Sequence, residues 1–506
     1  MLDWINVGKL AAERDDNLSE YFFDNGVLSR VLGSPTSFLV LGRKGAGKTA
    51  VFNFLQQNPG RYLTGSDRLV SLTFEDYKWN VHSLLQNPHA AESLAYKDSW
   101  RFVMYIEALG AIASWAEETG AKLPKSAVNA RKIIAQLFDS PEPSIYQLVG
   151  KKLLNLSKVK LPSLGLALED GNVEANAGEV SFEEVKQEKS LQESLSNNIT
   201  GLIEIFERAV DDCCSLDCRV FICFDRVDEA WDDVSFDVSR RVIAGLVSAA
   251  DSVTSKCKGR IRPIVFLRED IFEVLSLNDL NKLREDCGAL LHWDPDSLYR
   301  MILERVNFYA RRSGNAPISE VDELFDKREM RQRAKPSTYL LRRTMMRPRD
   351  LISFLGRIIE SMRESAADPF SDPKPAPAVK LSTDAIYEAE PGYSEWLMNE
   401  LVDEWGVQNP AVRAYINVIR AHGSTNITRD EFAAELGRQG GDNSILNVDD
   451  ALRFMFDNSI LGFKVGQSTI WKFKCVYPSQ GFVASDVYHV HDGLVRSLGL
   501  KEPRES

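Results

Sequence analysis

The chain is punctuated by short apolar runs set between longer stretches of helical period. Residues 37–41, SFLVL, form a continuous apolar run of buried-strand length. The helical segment TAVFNFLQQ comes next, halted by Asn58-Pro59-Gly60. Further runs of this kind predict strands at 68–74 (RLVSLTF), 220–225 (VFICFD), 262–268 (RPIVFLR) and 289–293 (ALLHW). Helical periodicity separates them at 235–255 and near 270–277, and SLYRMILERVNFYARR continues from Asp294-Pro295-Asp296. Strands alternating with helices predict a parallel sheet covered on both faces, an α/β fold.

Two stretches depart from this rhythm. Between 79 and 215 the pattern is helical, with Phe102, Ile106, Leu109 and Ile112 on one face of a helix. Helices are expected there at 124–138, 144–157 and 182–214, and a hairpin where Leu164, Leu166 and Leu168 alternate. The opening stretch 18–33 reads as one short helix. A proline-rich segment, 365–378, reads as a linker. Beyond it, helices at 393–405, 410–421, 429–437 and 448–458 precede two strands, ILGFKV and TIWKFKC. Three helices followed by a hairpin is the order of a winged helix. The expected domains are therefore a core in two parts (1–78 and 216–295), a helical insertion (79–215), a helical lid (296–364), a linker (365–391) and a winged helix (392–506).

The chemistry sits at the ends of the apolar runs. Gly42, Arg43, Lys44, Gly45, Ala46, Gly47, Lys48 and Thr49 fit G-x-x-x-x-G-K-[ST] between a buried strand and a helix, with Ala50 next in that helix. Glycines let backbone N–H groups turn toward phosphate oxygens, Lys48 can reach the β/γ-phosphates, and Thr49 offers a hydroxyl to Mg²⁺. Asp225 ends its strand and so falls at the carboxyl edge of the sheet, where it can hold Mg²⁺. Asp228 and Glu229 come within one turn of it, and either can orient or deprotonate a water. The expected cofactors are ATP and Mg²⁺, and the expected activity is phosphoanhydride hydrolysis.

These motifs together resemble the STAND/NACHT and KAP branch of P-loop ATPases, near the origin-recognition-type AAA+ proteins. The resemblance implies that Arg268, at the end of PIVFLR, senses the γ-phosphate. It implies that Met346-Arg347-Pro348-Arg349-Asp350 opens a lid helix whose arginine closes on the nucleotide, Arg349 first and Arg347 as its rival. It also implies an insertion between the two Walker motifs, since far more residues separate Thr49 from Asp225 than a minimal strand–helix–strand return needs. The implied function is an ATP-driven switch that oligomerises or remodels a partner, with a role in antiviral defence. Arg226 stands where many relatives carry a small or acidic residue, which keeps open a nucleotide-binding scaffold with little hydrolysis.

Composition narrows the partners. The 506 residues are 44% hydrophobic and 26% charged, with a formal charge of −12 that speaks against wholesale wrapping of nucleic acid or an anionic membrane. That sum hides a contrast. Residues 300–350 hold thirteen basic and seven acidic side chains, an excess of six that leaves −18 for the rest. Arg331, Arg333, Lys335, Arg342, Arg343, Arg347 and Arg349 run from 331 to 349 without one acid. Such a strip can bind nucleic acid, serve the nucleotide and a neighbouring subunit (with Arg342 or Arg343 as a finger in trans), or simply be solvated. An origin-recognition-type, nucleic-acid-dependent ATPase is therefore the alternative function. The candidate recognition helix argues the other way, with Asp449, Asp450 and Asp457 against Arg453 alone, and the wing adds only Lys464, Lys472 and Lys474.

No apolar run is long enough to span a bilayer and the first residues lack a signal-peptide core, so a cytoplasmic protein with reduced thiols at its seven cysteines is expected. His489 and His491 have no partners at metal spacing and read as structural. Expected partners are copies of the same chain or a separate effector protein, with no membrane.

Overall fold

The computed structural model describes residues 4–74, 82, 85–86, 94–144, 148, 151–161, 169–170, 182–230, 236–330, 333–367, 380–406, 408–439, 447–466 and 468–501. The expected hairpin around Leu164–Leu168, Arg331 of the basic strip and residues 368–379 of the proline-rich linker lie outside them. The chain forms two bodies: one of residues 26–43 and 48–291, the other of residues 1–25, 44–47 and 292–506.

The first body is built on a five-stranded parallel sheet. Its strands are β1 (Leu39–Gly42), β2 (Asp67–Thr73), β3 (Arg219–Asp225), β4 (Ile261–Arg268) and β5 (Gly288–Leu290), in the spatial order β2-β3-β4-β1-β5. The mixed α/β class with a central parallel sheet is as the hydrophobic pattern requires. Strands β1 and β4 are buried along their whole length, which explains why they read as unbroken apolar runs. Helices flank the sheet: α1 (Val27–Gly33), α2 (Lys48–Gln57), α3 (Lys97–Thr119), α4 (Lys125–Phe138), α5 (Lys189–Cys213), α6 (Phe236–Lys256), α7 (Glu269–Glu273) and α8 (Leu280–Cys287).

The stretch between β2 and β3 is helical where described. Trp100, Phe102 and Phe206 from α3 and α5 share one apolar core with Phe74, just past β2, and Phe224 of β3. Trp100 donates its indole N–H to the Val242 carbonyl at 2.9 Å, tying α3 to α6.

Several boundaries differ from the sequence expectation. The single helix expected at 18–33 is two, Leu18–Tyr21 and Val27–Gly33, parted at Gly26, whose φ of +84° no ordinary helix residue adopts. The helix expected at 182–214 is interrupted at Glu188. The helix expected near 270–277 ends at Glu273, and α8 comes after it unforeseen. Within 144–157, the described helix is Lys151–Asn155 with a 3₁₀ turn after it.

The second body is mostly helical: α9 (Pro295–Arg312), α10 (Pro336–Arg342), α11 (Pro348–Ala367), α12 (Thr383–Trp405), α13 (Val412–His422), α14 (Arg429–Arg438) and α15 (Val448–Asp457). A small antiparallel sheet closes it, formed by β6 (Asn426–Thr428), β7 (Leu461–Phe463) and β8 (Val487–Val490) in the order β6-β8-β7. Two expectations are corrected here. The linker expected to run to residue 391 is helical from Thr383, because Ser382 caps the helix and Pro391 is accommodated inside it. TIWKFKC is not a strand: it meets β7 only in the Phe463–Lys472 bridge, and the partner of β7 is β8.

All seven cysteines are free thiols. No described helix is long and apolar enough to cross a membrane. His489 stacks on Trp471 and His491 is buried.

Candidate nucleotide site

Strand β1 ends at Gly42 and α2 begins at Lys48, so the intervening loop must reverse the chain within five residues. Gly45 and Gly47 do so at φ of +79° and +100°, a region that side chains with a Cβ avoid. Lys48 folds back over the loop, and its ammonium donates to the Gly42 carbonyl at 3.0 Å and the Arg43 carbonyl at 3.3 Å. Although the side chain is not sealed from solvent, the protein packed around Lys48 holds its ammonium below the usual lysine range.

The acidic half of the site comes from β3. Asp225 is the last residue of that strand and is buried, at 2% exposure. The Thr49 hydroxyl and the Arg226 backbone N–H lie beside it and favour its ionised form. Burial nevertheless pushes its carboxyl up to about 6, helped by the charge of Asp228 and opposed by Lys48. Directly after Asp225 the chain turns through Arg226 at φ +60°, a conformation rare and costly for a residue with a long side chain. The turn aims the next two acids differently. Asp228 lies 4.0 Å from the Arg268 guanidinium and acts on the Lys48 ammonium, whereas Glu229 pairs back onto Arg226 at 3.5 Å.

Arg268 ends β4, the strand lying between β1 and β3, and is in register with Gly42. It is 9% exposed. Asp270 accepts two hydrogen bonds from it, from Nε at 3.1 Å and from Nη2 at 2.6 Å. In the first body, Lys48, Thr49, Asp225, Asp228 and Arg268 thus gather at the carboxyl edge of the parallel sheet, while Glu229 is drawn off toward Arg226. Asp270 was missed in the sequence. The signal was present as an acid two residues beyond a strand-ending arginine, close enough to grip it.

Arg347 and Arg349 belong to the second body, as does the loop tip 44–47. Arg347 is 3% exposed; it donates to both carboxylate oxygens of Asp350 at 3.0 and 3.1 Å, to Glu404 at 3.0 Å and to the Lys44 carbonyl at 3.2 Å. Arg349 is more open. Its backbone N–H reaches the Gly45 carbonyl at 3.4 Å and its guanidinium donates to Glu400 at 3.2 Å. Glu400 also lies 3.5 Å from the Lys44 ammonium. The Trp293 indole N–H donates to the Ala46 carbonyl at 2.8 Å.

Much of the basic strip is met by acids of the same body. Arg342 pairs with Asp492 at 3.2 Å and Arg343 with Glu390 at 2.6 Å, in addition to the Arg347 and Arg349 pairs. Glu390, Glu400 and Glu404 all lie on α12, the last two one turn apart and so on one helix face. Glu390 fell in the stretch taken for linker, while Glu400 and Glu404 fell in the expected helix 393–405 with nothing local to name these arginines as their partners. Among the described residues no cluster of three or more His, Cys, Asp or Glu side chains is arranged to hold a metal alone.

Residues 296–402 match the FunZ-associated C-terminal helical domain. The chain is 23% identical over 522 aligned positions to the putative transposon gamma-delta 80.3 kDa protein of Escherichia coli K12, an alignment spanning 97% of this chain and 67% of that protein. Among solved structures it aligns with Cdc6p of Pyrobaculum aerophilum over 96% of each chain, at 10% identity and a TM-score of 0.33. The matched helical domain takes in Arg347, Arg349 and Glu400 of this chain.

Proposed function

We propose that this protein binds ATP with Mg²⁺ and hydrolyses it, cycling as a molecular switch that drives oligomerisation or the remodelling of a partner. One observation carries the reading: Thr49, in the first turn of its helix, lies beside the strand-ending carboxylate of Asp225 and eases its ionisation, with Lys48, Asp228 and Arg268 around them. The charges fit a polyanion bound with a divalent cation. Among the described residues Lys48 donates to carbonyls of its own loop, and burial and then the charge of Asp228 push the Asp225 carboxyl up to about 6 against the opposing charge of Lys48.

Each residue then has a role. The backbone amides of 43–50 and the ammonium of Lys48 would hold phosphates, and Thr49 and Asp225 would hold Mg²⁺, which would supply charge neutralisation. Asp228 is the residue we assign to the attacking water, since it faces Lys48 and Arg268. Glu229, engaged with Arg226, supports the turn. Arg268 reports the γ-phosphate, and Arg349 is the lid arginine.

The larger reading rests on the STAND/KAP resemblance. Helix α13, β6, α14, α15, β7 and β8 run in the order of a winged helix, which we assign to protein contact because Arg429 takes up Asp449 at 2.9 Å and the helix face remains acidic. Antiviral defence is the setting that the resemblance suggests. A nucleic-acid-dependent ATPase is the second reading, motivated by the basic strip, and the pairing of Arg342, Arg343, Arg347 and Arg349 with acids weakens it.

The test is phosphate release by wild type and Lys48→Met, with and without duplex DNA at two salt concentrations. Light scattering in ADP and ATP tracks assembly. Mg²⁺-dependent turnover lost in Lys48→Met supports the switch; equal turnover in both proteins removes it. Stimulation by DNA that fades with salt would favour the second reading.

A further inference from the structure

Two carboxylates one turn apart on α12 meet cations in opposite settings. Glu404 is 3% exposed and locked with Arg347, itself hydrogen-bonded to Asp350 and the Lys44 carbonyl. Taking either partner out of such a buried pair leaves an uncompensated charge, so this contact is a permanent clamp. Glu400 differs. A single oxygen, Oε2, lies 3.2 Å from Nη1 of Arg349 and 3.5 Å from Nζ of Lys44, and all three side chains are between a fifth and a third exposed. Ion pairs this open are weak and exchange readily with other anions.

The two cations that Glu400 takes are a lysine of the glycine-rich loop and the arginine that opens α11. Both are therefore cations a polyphosphate would seek, and a carboxylate that holds both is its competitor. We infer that Glu400 is an exchangeable latch: it occupies Lys44 and Arg349 when no nucleotide is bound, and the phosphates displace it, releasing the middle of α12. The inference rests on the ATP-binding reading above. By linkage, whatever affinity the latch takes from the nucleotide is the free energy with which the nucleotide opens the latch.

The test uses the full chain and titration of a fluorescent ATP analogue with Mg²⁺ into wild type, Glu400→Gln, Asp403→Asn and Lys48→Met. Asp403 is exposed on the same helix and controls for the loss of one negative charge. Two partly exposed pairs predict that Glu400→Gln binds about three- to tenfold more tightly than wild type, with Asp403→Asn unchanged. A second readout is amide exchange over 396–405, which speeds up when Mg-ATP is added to wild type and is already fast in Glu400→Gln. Equal affinity in wild type and Glu400→Gln, with Lys48→Met inactive in binding, removes the latch and leaves the nucleotide reading standing. Equal tightening by Asp403→Asn also removes it, by showing a general charge effect. Absence of binding in every variant overturns the nucleotide reading and the latch together, whereas binding gained only in Glu400→Gln supports both.

Discussion

The guanidinium of Arg268 is gripped by the carboxylate of Asp270, two residues further on, through bonds of 3.1 and 2.6 Å. Arg268 closes β4 and Asp270 lies in the first turn of α7, so the pair spans the corner where strand becomes helix. A side chain with so many rotamers is thereby fixed at the sheet edge, in register with the end of β1. Asp270 is a positioning residue in this scheme. Asp270→Asn should leave nucleotide affinity within about threefold of wild type while turnover falls about tenfold, the signature of an interaction needed in the transition state rather than in binding. A matching loss of affinity would instead assign Asp270 to the binding surface.

Lys48 provides a separation of site from scaffold. Burial is the largest influence on its ammonium, ahead of the favourable charge of Asp228. Lys48→Met removes a desolvated charge and keeps most of the side-chain volume. The apo protein should therefore melt within about 2 °C of wild type, while nucleotide binding falls by about a hundredfold or more. A calorimetric scan beside the binding titration checks both, and a large fall in Tm would make the lysine a structural member of the loop.

The two arginines that the sequence left as rivals should part company on substitution. Arg347 is held inside a buried network with Asp350 and Glu404, so Arg347→Ala strands two carboxylates and should cost about 3–5 kcal/mol, enough to impair folding. Arg349 pairs at the surface, and Arg349→Ala should cost about 1 kcal/mol or less while reducing turnover. Denaturant melts and phosphate release on the two variants distinguish them. The reverse pattern would make Arg347 the functional arginine.

These residues also show why parts of the site were legible in sequence and others were not. Gly42–Thr49 and Asp225 were readable because their signals are local: a buried strand must be an apolar run, and the residues at its C-terminal end must fall at the sheet edge. Arg268 was placed by the same logic. Glu400 and Glu404 fell in the expected helix 393–405, but their pairing was hidden because their partners are more than fifty residues away; Glu390 was hidden because Pro391 inside α12 carried the reading of a linker past the true start of the helix. The wing failed for a related reason. TIWKFKC alternates as a strand should, but Trp471 stacks on His489 and Lys472 lies over Tyr477, so the alternation is used in side-chain packing rather than in a ladder. Alternation states which face is wet; it does not name the neighbour.

A pH dependence arises in the helical stretch between β2 and β3. Glu107, on α3, is largely buried, and its carboxyl is pushed up to about 7, first by burial and then by the charge of Glu142, which Arg131 holds at 2.9 Å. In the unfolded chain the same group titrates near its ordinary value of 4.5. The folded state thus holds this proton more tightly. Its contribution to stability is complete below about pH 4.5 and is lost as pH rises through 7. Glu107→Gln keeps the site neutral at every pH. The variant should melt together with wild type at about pH 4 and a few degrees above it at about pH 8, the gap opening between those values. Thermal melts across that range check the sign: a variant less stable than wild type at the alkaline end would mean that the ionised carboxylate has a stabilising partner in the fold.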